Sequence, residues 1–311
     1  MGFFGAMGGL FSLFPLVVIG IIFSNIFSSN SSNRPGNFKR RFKEEYYRDY
    51  PYEGDILDVY HILYKMGVGN FENLLTSFIL KWINEERIMT EIDETGFIMK
   101  KEVTNIRFLN TSMDRTTHEG ELFHMMLDAA GPNNVLEEKE FTKWASRNYS
   151  KIEAWEKEVR DDSSIKLQAG GYLTIVEKKK FFFKTHDIVL TPKGEELEER
   201  IYKYINYLHD FSLLNEHEAI NVKIWDNIMI WAGALGLTEV VSKQFEKLYP
   251  RYQAETVYRG NSIYLAHALT RNVARAAVPP SSSSRSGGGG GFSSGGGGGG
   301  SFGGGSGGGT R

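Results

Sequence analysis

Apolar positions follow different rhythms along the chain, and each rhythm predicts a different kind of element. Over residues 10–27 nearly every position is apolar and no charge precedes Arg34, so the chain opens on a stretch about long enough to cross a bilayer as one helix. From residue 55 the rhythm becomes helical. Ile56, Val59, Tyr60 and Leu63 recur at steps of three and four, Gly67 and Gly69 interrupt, and Leu74, Leu75, Phe78, Ile79 and Trp82 resume the pattern over 71–84. Residues 88–92 and 97–103 then flank Asp93-Glu94-Thr95-Gly96, a polar, Gly-containing connection that predicts a hairpin. Helix, helix, hairpin is the outline of a winged-helix unit.

The order recurs with other lengths. Leu122, Phe123, Met126 and Leu127 mark a helix over 119–130 that Gly131-Pro132 stops; Phe141 and Trp144 mark another over 138–147, and Trp155 a third over 152–159. After Gly170-Gly171, residues 172–177, 181–184 and 188–190 read as the strands of a second wing, with Lys178-Lys179-Lys180 at its corner. Thr191 can cap the next helix and Pro192 can take its first position, and Leu197, Ile201, Tyr204, Leu208 and Phe211 give that helix a broad core stripe. Val222, Trp225, Met229 and Ala232 predict a helix ended by Gly236, and Thr238 opens a shorter one through Val241, Phe245 and Leu248. The apolar stretch 228–237 is too short for a bilayer and is bounded by Asp226 and Glu239, so it reads as buried core. Residues 262–277 are expected to form a weak terminal helix with Arg271 and Arg275 on one side, lying against the membrane or the domain.

The expected architecture is α+β, mainly α. One N-terminal transmembrane helix (residues 1–33) and a basic juxtamembrane linker (34–50) precede tandem winged-helix-like units (51–110 and 111–192). A C-terminal helical cap (193–250), a weak helix or linker (251–280) and a disordered Gly/Ser tail (281–311) follow.

Charge changes the picture at one place. Lys+Arg total 36 against 38 Asp+Glu, a near balance that argues against a binder of polyanions by bulk charge. The strong local excess is Arg34, Lys39, Arg40, Arg41 and Lys43, directly after the apolar run, where a basic cluster is retained on the cytoplasmic side and suits anionic lipid headgroups. The bulk of the chain is therefore expected in the cytoplasm, on a single-pass cell-membrane anchor. A secretory signal is the weaker reading, because no positive charge precedes the run and residues 26–30 make a poor cleavage site. A buried helix in water is weaker still, since Gly2, Gly5, Gly8, Gly9 and Gly20 would destabilise it. The absence of cysteine removes disulfides, thiolate zinc sites and cysteine nucleophiles together. The Ser and Gly runs after Pro280, broken by Phe292 and Phe302, have almost nothing to bury and read as a flexible tether, a weak self-association segment or an inert tail.

Several phrases in the second half carry a family resemblance. Residues 190–197 (Leu-Thr-Pro-Lys-Gly-Glu-Glu-Leu), 207–214 (Tyr-Leu-His-Asp-Phe-Ser-Leu-Leu), Trp225-Asp226 and 232–239 (Ala-Gly-Ala-Leu-Gly-Leu-Thr-Glu) resemble the cytoplasmic region of predicted membrane proteins of the DUF2207 family. The Ser/Gly tail is similar too. The resemblance covers most of the chain beyond Pro51 and implies no catalytic residues, cofactor or substrate. Members commonly carry an extracellular domain before their span; this chain starts at the span, so tethering rather than outside sensing is expected.

Candidate chemistry is sparse. On the wing, Lys178, Lys179 and Lys180 with Lys184 form a basic patch that reads either as a solvated hairpin or as a contact for an anionic partner. The helices placed to enter a DNA groove are weakly basic: residues 71–84 offer Lys81 against Glu72, and residues 151–160 mix Lys151, Lys157 and Arg160 with Glu153, Glu156 and Glu158. His118 and His124 do not share a helix face as a ligand pair, so no metal is expected, and no spacing nominates a nucleophile with its base. The reading is a membrane-anchored interaction or scaffold domain, not an enzyme, with the lipid bilayer and a protein as partners. The alternative is a membrane-tethered winged-helix nucleic-acid-binding regulator.

Overall fold

The computed structural model describes residues 42–95, 101–180, 183–211, 222–258 and 262–278. The expected anchor over 1–33, the linker up to Arg41 and the Gly/Ser tail lie outside the described residues. A short 3-10 turn at Ile56–Val59 runs into α1 (Tyr60–Lys65), then come α2 (Phe71–Asn84), β1 (Ile88–Thr95) and β2 (Lys101–Phe108). The chain continues through α3 (His118–Ala130), β3 (Val135–Glu137), α4 (Glu138–Arg147), α5 (Tyr149–Ala169), β4 (Leu173–Lys180) and β5 (Phe183–Leu190). It closes with α6 (Pro192–Asp210), α7 (Val222–Ala234), α8 (Thr238–Leu248), α9 (Tyr252–Glu255) and α10 (Ser262–Ala276). The described part is thus a mainly helical α+β fold with small antiparallel sheets.

Local chemistry sets most boundaries. Asn70 caps α2 by accepting from Asn73 N–H at 2.9 Å, Thr117 caps α3 by accepting from Gly120 N–H at 3.0 Å, and Thr191 caps α6 by accepting from Gly194 N–H at 3.1 Å with Pro192 at the first helical position. Gly236, at φ 70°, ends α7: its N–H reaches Gly233 O at 3.0 Å and Leu237 N–H reaches Ala232 O at 2.7 Å, the paired bonds of a Schellman stop.

The first hairpin turns later than expected, since Asp93, Glu94 and Thr95 belong to β1 and pair with β2 as far as Lys101. Helix α5 runs past the expected end at 159 to Ala169, and β5 is one strand where two were expected. Two further elements depart from expectation. The lysine run 178–180 is the end of strand β4, not a corner, and β4 pairs with β5 over its whole length. Cross-strand attraction favours this, since Lys178 pairs with Asp187 and Lys184 with Glu177. The other departure is β3, which joins β2 with Ile106 opposite Leu136, so the first hairpin becomes a three-stranded sheet that takes residues from both sides of position 110. A three-residue strand carries no periodic signal of its own.

The core is organised around α2. Its Leu74, Leu75, Phe78, Ile79, Leu80 and Trp82 are all buried, because α7 packs along one side of it and α10 along another. Gly233 permits the α7 approach: a Cβ there would lie 2.9 Å from Ser77 Cα, and Ser77 Oγ donates to Ile230 O at 2.9 Å. The apolar stretch 228–237 is therefore core, as its length implied, and no helix among the described residues is long and apolar enough to cross a membrane. The terminal helix lies against the domain, where α10 packs on α2, α4 and α8.

Asp226 fastens α7 to α9 and the chain that follows it. Its buried carboxylate accepts from Tyr252 Oη at 3.2 Å, from Val257 N–H at 3.3 Å and from the Thr256 hydroxyl. Burial raises its pKa, and these three donors hold back part of the rise. We expect Asp226→Ala to lower stability by about 3 kcal/mol in urea unfolding, since three donors lose their acceptor; a loss under about 1 kcal/mol would mean that water replaces it.

Candidate functional site

The sequence-predicted sites divide sharply. Arg34, Lys39, Arg40 and Arg41 lie outside the described residues, and Lys43 is exposed. On the wing, Lys178 Nζ sits 2.7 Å from Asp187 Oδ2 and Lys184 Nζ 2.9 Å from Glu177 Oε1. Lys179 and Lys180 stand opposite Lys184 and Phe183 in the ladder. Half of this patch is therefore matched by acids of its own hairpin, and exposed pairs of this kind bind each other weakly and are screened by salt.

A second set of cations is not matched in this way. On α4, Lys139, Lys143 and Arg147 are spaced four apart and share one exposed face, while Phe141 and Ala145 face inward. Helix α10 packs beside α4 and brings Arg275 alongside, so the two helices form an open groove of about 560 Å³ with Thr142, Ser146 and Ala276 in its lining. Glu138 is the groove's carboxylate, and its Oε1 accepts from Asn272 Nδ2 at 2.7 Å, which ties the helices together. Four cations against this one carboxylate leave the groove with three net positive charges. Among the described residues none of the four cations is held in an ion pair. A concave surface with a net positive field raises the local concentration of an anionic ligand.

The α4 half of this groove is absent from the expected sites, although its i, i+4, i+8 spacing of cations is a signal that could have found it. Arg275 was not assignable to it, because nothing in a linear chain indicates that α10 returns to α4.

The helices expected to read DNA are otherwise engaged. Helix α2 is covered by α7 and α10, and its Lys81 Nζ pairs with Glu119 Oε2 at 2.6 Å. On α5, Lys157 pairs with Asp161 at 2.7 Å and Arg160 stacks over the Tyr64 ring at 4.4 Å.

The phrases that carried the family resemblance fall on the end of β5, α6, α7 and the start of α8, except that residues 212–214 lie outside the described residues. Residues 179–245 match the family model of the DUF2207 C-terminal domain. That family is described as one of predicted membrane proteins. No curated protein sequence matches the chain. Within the DUF2207 segment the matched phrases are structural. Thr191 and Gly236 bound helices, and Trp225 stacks on Phe245 with ring centroids 4.5 Å apart while meeting Phe211 edge-on at 5.8 Å. The α4–α10 groove lies outside the segment on both sides, so its chemistry belongs to the parts of this chain that the DUF2207 match does not cover.

Proposed function

We propose that this protein is a membrane-tethered interaction module whose α4–α10 groove docks an acidic segment of a protein partner. The observation that carries the reading is the groove itself: Lys139, Lys143, Arg147 and Arg275 converge on a concave surface, and among the described residues none of them is held in an ion pair. The tether is the apolar, charge-free segment 1–33, and the basic residues from Arg34 to Lys43 orient it with the bulk of the chain on the cytoplasmic side. The match to a family of predicted membrane proteins supports the membrane address. The repeated order of helices followed by a hairpin supports reading the two β-hairpins as winged-helix-like elements put to protein docking. The covering of α2 speaks against major-groove entry by that helix.

The test uses the full-length chain in nanodiscs of neutral lipid and a fluorescent poly-glutamate peptide. Lys139→Glu/Lys143→Glu/Arg147→Glu is expected to weaken binding at least tenfold, whereas Lys178→Glu/Lys184→Glu leaves it within about twofold. The reverse order would move the docking surface to the wing. Binding of duplex DNA with a steep salt dependence, in place of the peptide, would favour the nucleic-acid reading. For topology, reporter fusions after Asn30 and at Arg311 are both expected to report the cytoplasmic side, and a translocated Arg311 would overturn the orientation.

A further inference from the structure

Away from the groove, the N-terminal end of α3 meets the middle of α5. We infer that His118, Glu121 and Glu158 form a binding site for one divalent transition-metal cation, with Asp162 orienting the imidazole. An imidazole nitrogen of His118 and one carboxylate oxygen each of Glu121 and Glu158 lie within 4.8 Å of one another. Their spacing makes the convergence systematic. Residues 118 and 121 are three apart on α3, residues 158 and 162 are four apart on α5, and each pair therefore shares a helix face.

The two faces are held together from below. Trp155, one turn before Glu158, is buried at 1% exposure and its Nε1–H donates to His118 O at 2.9 Å. This indole fixes the backbone of the first donor relative to the helix that supplies the third. Asp162 Oδ2 lies 2.7 Å from His118 Nε2. A carboxylate on one ring nitrogen fixes the tautomer and leaves the other nitrogen's lone pair for a cation, the arrangement that supports metal-binding histidines elsewhere.

Charge provides an independent argument. Neighbouring acids are matched: Glu119 by Lys81, Asp161 by Lys157, Asp58 by Lys166. Glu121 and Glu158 have no Lys or Arg partner among the described residues, and yet one carboxylate oxygen of each lies within 4.8 Å of the other. Like charges packed at this range repel, and a bound dication reverses the sign of that interaction.

The donor types define the cation. An imidazole with two carboxylates suits Zn²⁺ and similar first-row ions, whereas Ca²⁺ and Mg²⁺ favour all-oxygen sets. Tetrahedral bonds of about 2.1 Å place donors about 3.4 Å apart, so separations of up to 4.8 Å close by at most about 1.4 Å, within the reach of two glutamate side chains. The site has no sequence motif because its halves belong to different helices, and the neighbouring His124 bonds Met113 O at 2.9 Å.

The test titrates Zn²⁺ into the tag-free, EDTA-stripped full-length chain in detergent, against a chromophoric chelator. One site per chain is expected. His118→Ala and Glu121→Gln/Glu158→Gln each weaken it at least tenfold, Asp162→Asn weakens it less, and a hundredfold excess of Mg²⁺ does not compete. His186→Ala, on the exposed wing, binds as the wild type does. A second readout guards against misfolding: without metal the Glu121→Gln/Glu158→Gln chain melts at or above the wild-type temperature, and Zn²⁺ raises the melting temperature of the wild type alone. Absence of zinc binding in the wild type, or binding that survives both substitutions, overturns the inference.

Discussion

Trp82→Ala lowers the stability of the folded region by about 4 kcal/mol, the range for truncating a fully buried large aromatic. Trp82 is 0% exposed in the last turn of α2. Its ring stacks on Phe78 at 5.6 Å and meets Phe123 of α3 edge-on at 5.0 Å, while Nε1–H donates to Glu119 Oε1 at 2.9 Å. Truncation opens a cavity where α2 meets α3 and also removes a donor from Glu119, which then depends on Lys81 alone for its bond across to α2. Trp82→Phe separates the two effects: it retains most of the burial and loses the N–H, so a loss of about 1–2 kcal/mol is expected. Urea unfolding of the full-length chain, followed by far-UV circular dichroism, measures both. A loss below about 2 kcal/mol for Trp82→Ala would mean that α2 does not organise the core.

Acid weakens the fold through His61. This residue of α1 is buried, and its backbone N–H donates to Ser163 Oγ on α5 at 2.9 Å. Burial, then the positive charge of Lys65, lowers its pKa to about 4. The unfolded chain binds this proton near pH 6.5 and the folded chain only near pH 4, so the unfolded state holds more protons in between. Stability is full above about 6.5 and falls by on the order of 3 kcal/mol as pH drops toward 4.

Asp226 and Glu156 act with the opposite sign. Burial raises both their pKa values, so the stability each contributes when protonated is present at low pH and lost as pH rises from the ordinary carboxylate range through the folded pKa. The difference between wild type and His61→Leu isolates the histidine. That variant is expected to keep its pH 7.5 stability within about 1 kcal/mol and to lose much less between pH 6.5 and 4. Parallel stability profiles for the two proteins would show that His61 is protonated in the fold without cost.

The sequence by itself determined the helical segments and most of their ends. A helix needs only its own periodic face and a local cap, and those are contiguous: Thr191-Pro192 before α6, Gly236 after α7, Gly131 after α3. It also marked 228–237 as too short to span a bilayer, and it carried the DUF2207 phrases, whose side chains prove to be caps and core rings. Lys178 and Lys184 were readable as charges, but the acids that match them come from the facing strand, and a register is not visible in a string of lysines. Only the tertiary structure decided that β3 joins β2, that α10 returns to α4 to bring Arg275 into the basic groove, and that His118 and Glu121 meet Glu158 and Asp162. The physical reason is common to all three. Each depends on where a buried surface comes to rest, Leu136 beside Ile106, α10 over α2, Trp155 beneath His118, and burial pairs residues by shape and apolar area, without regard to their separation along the chain.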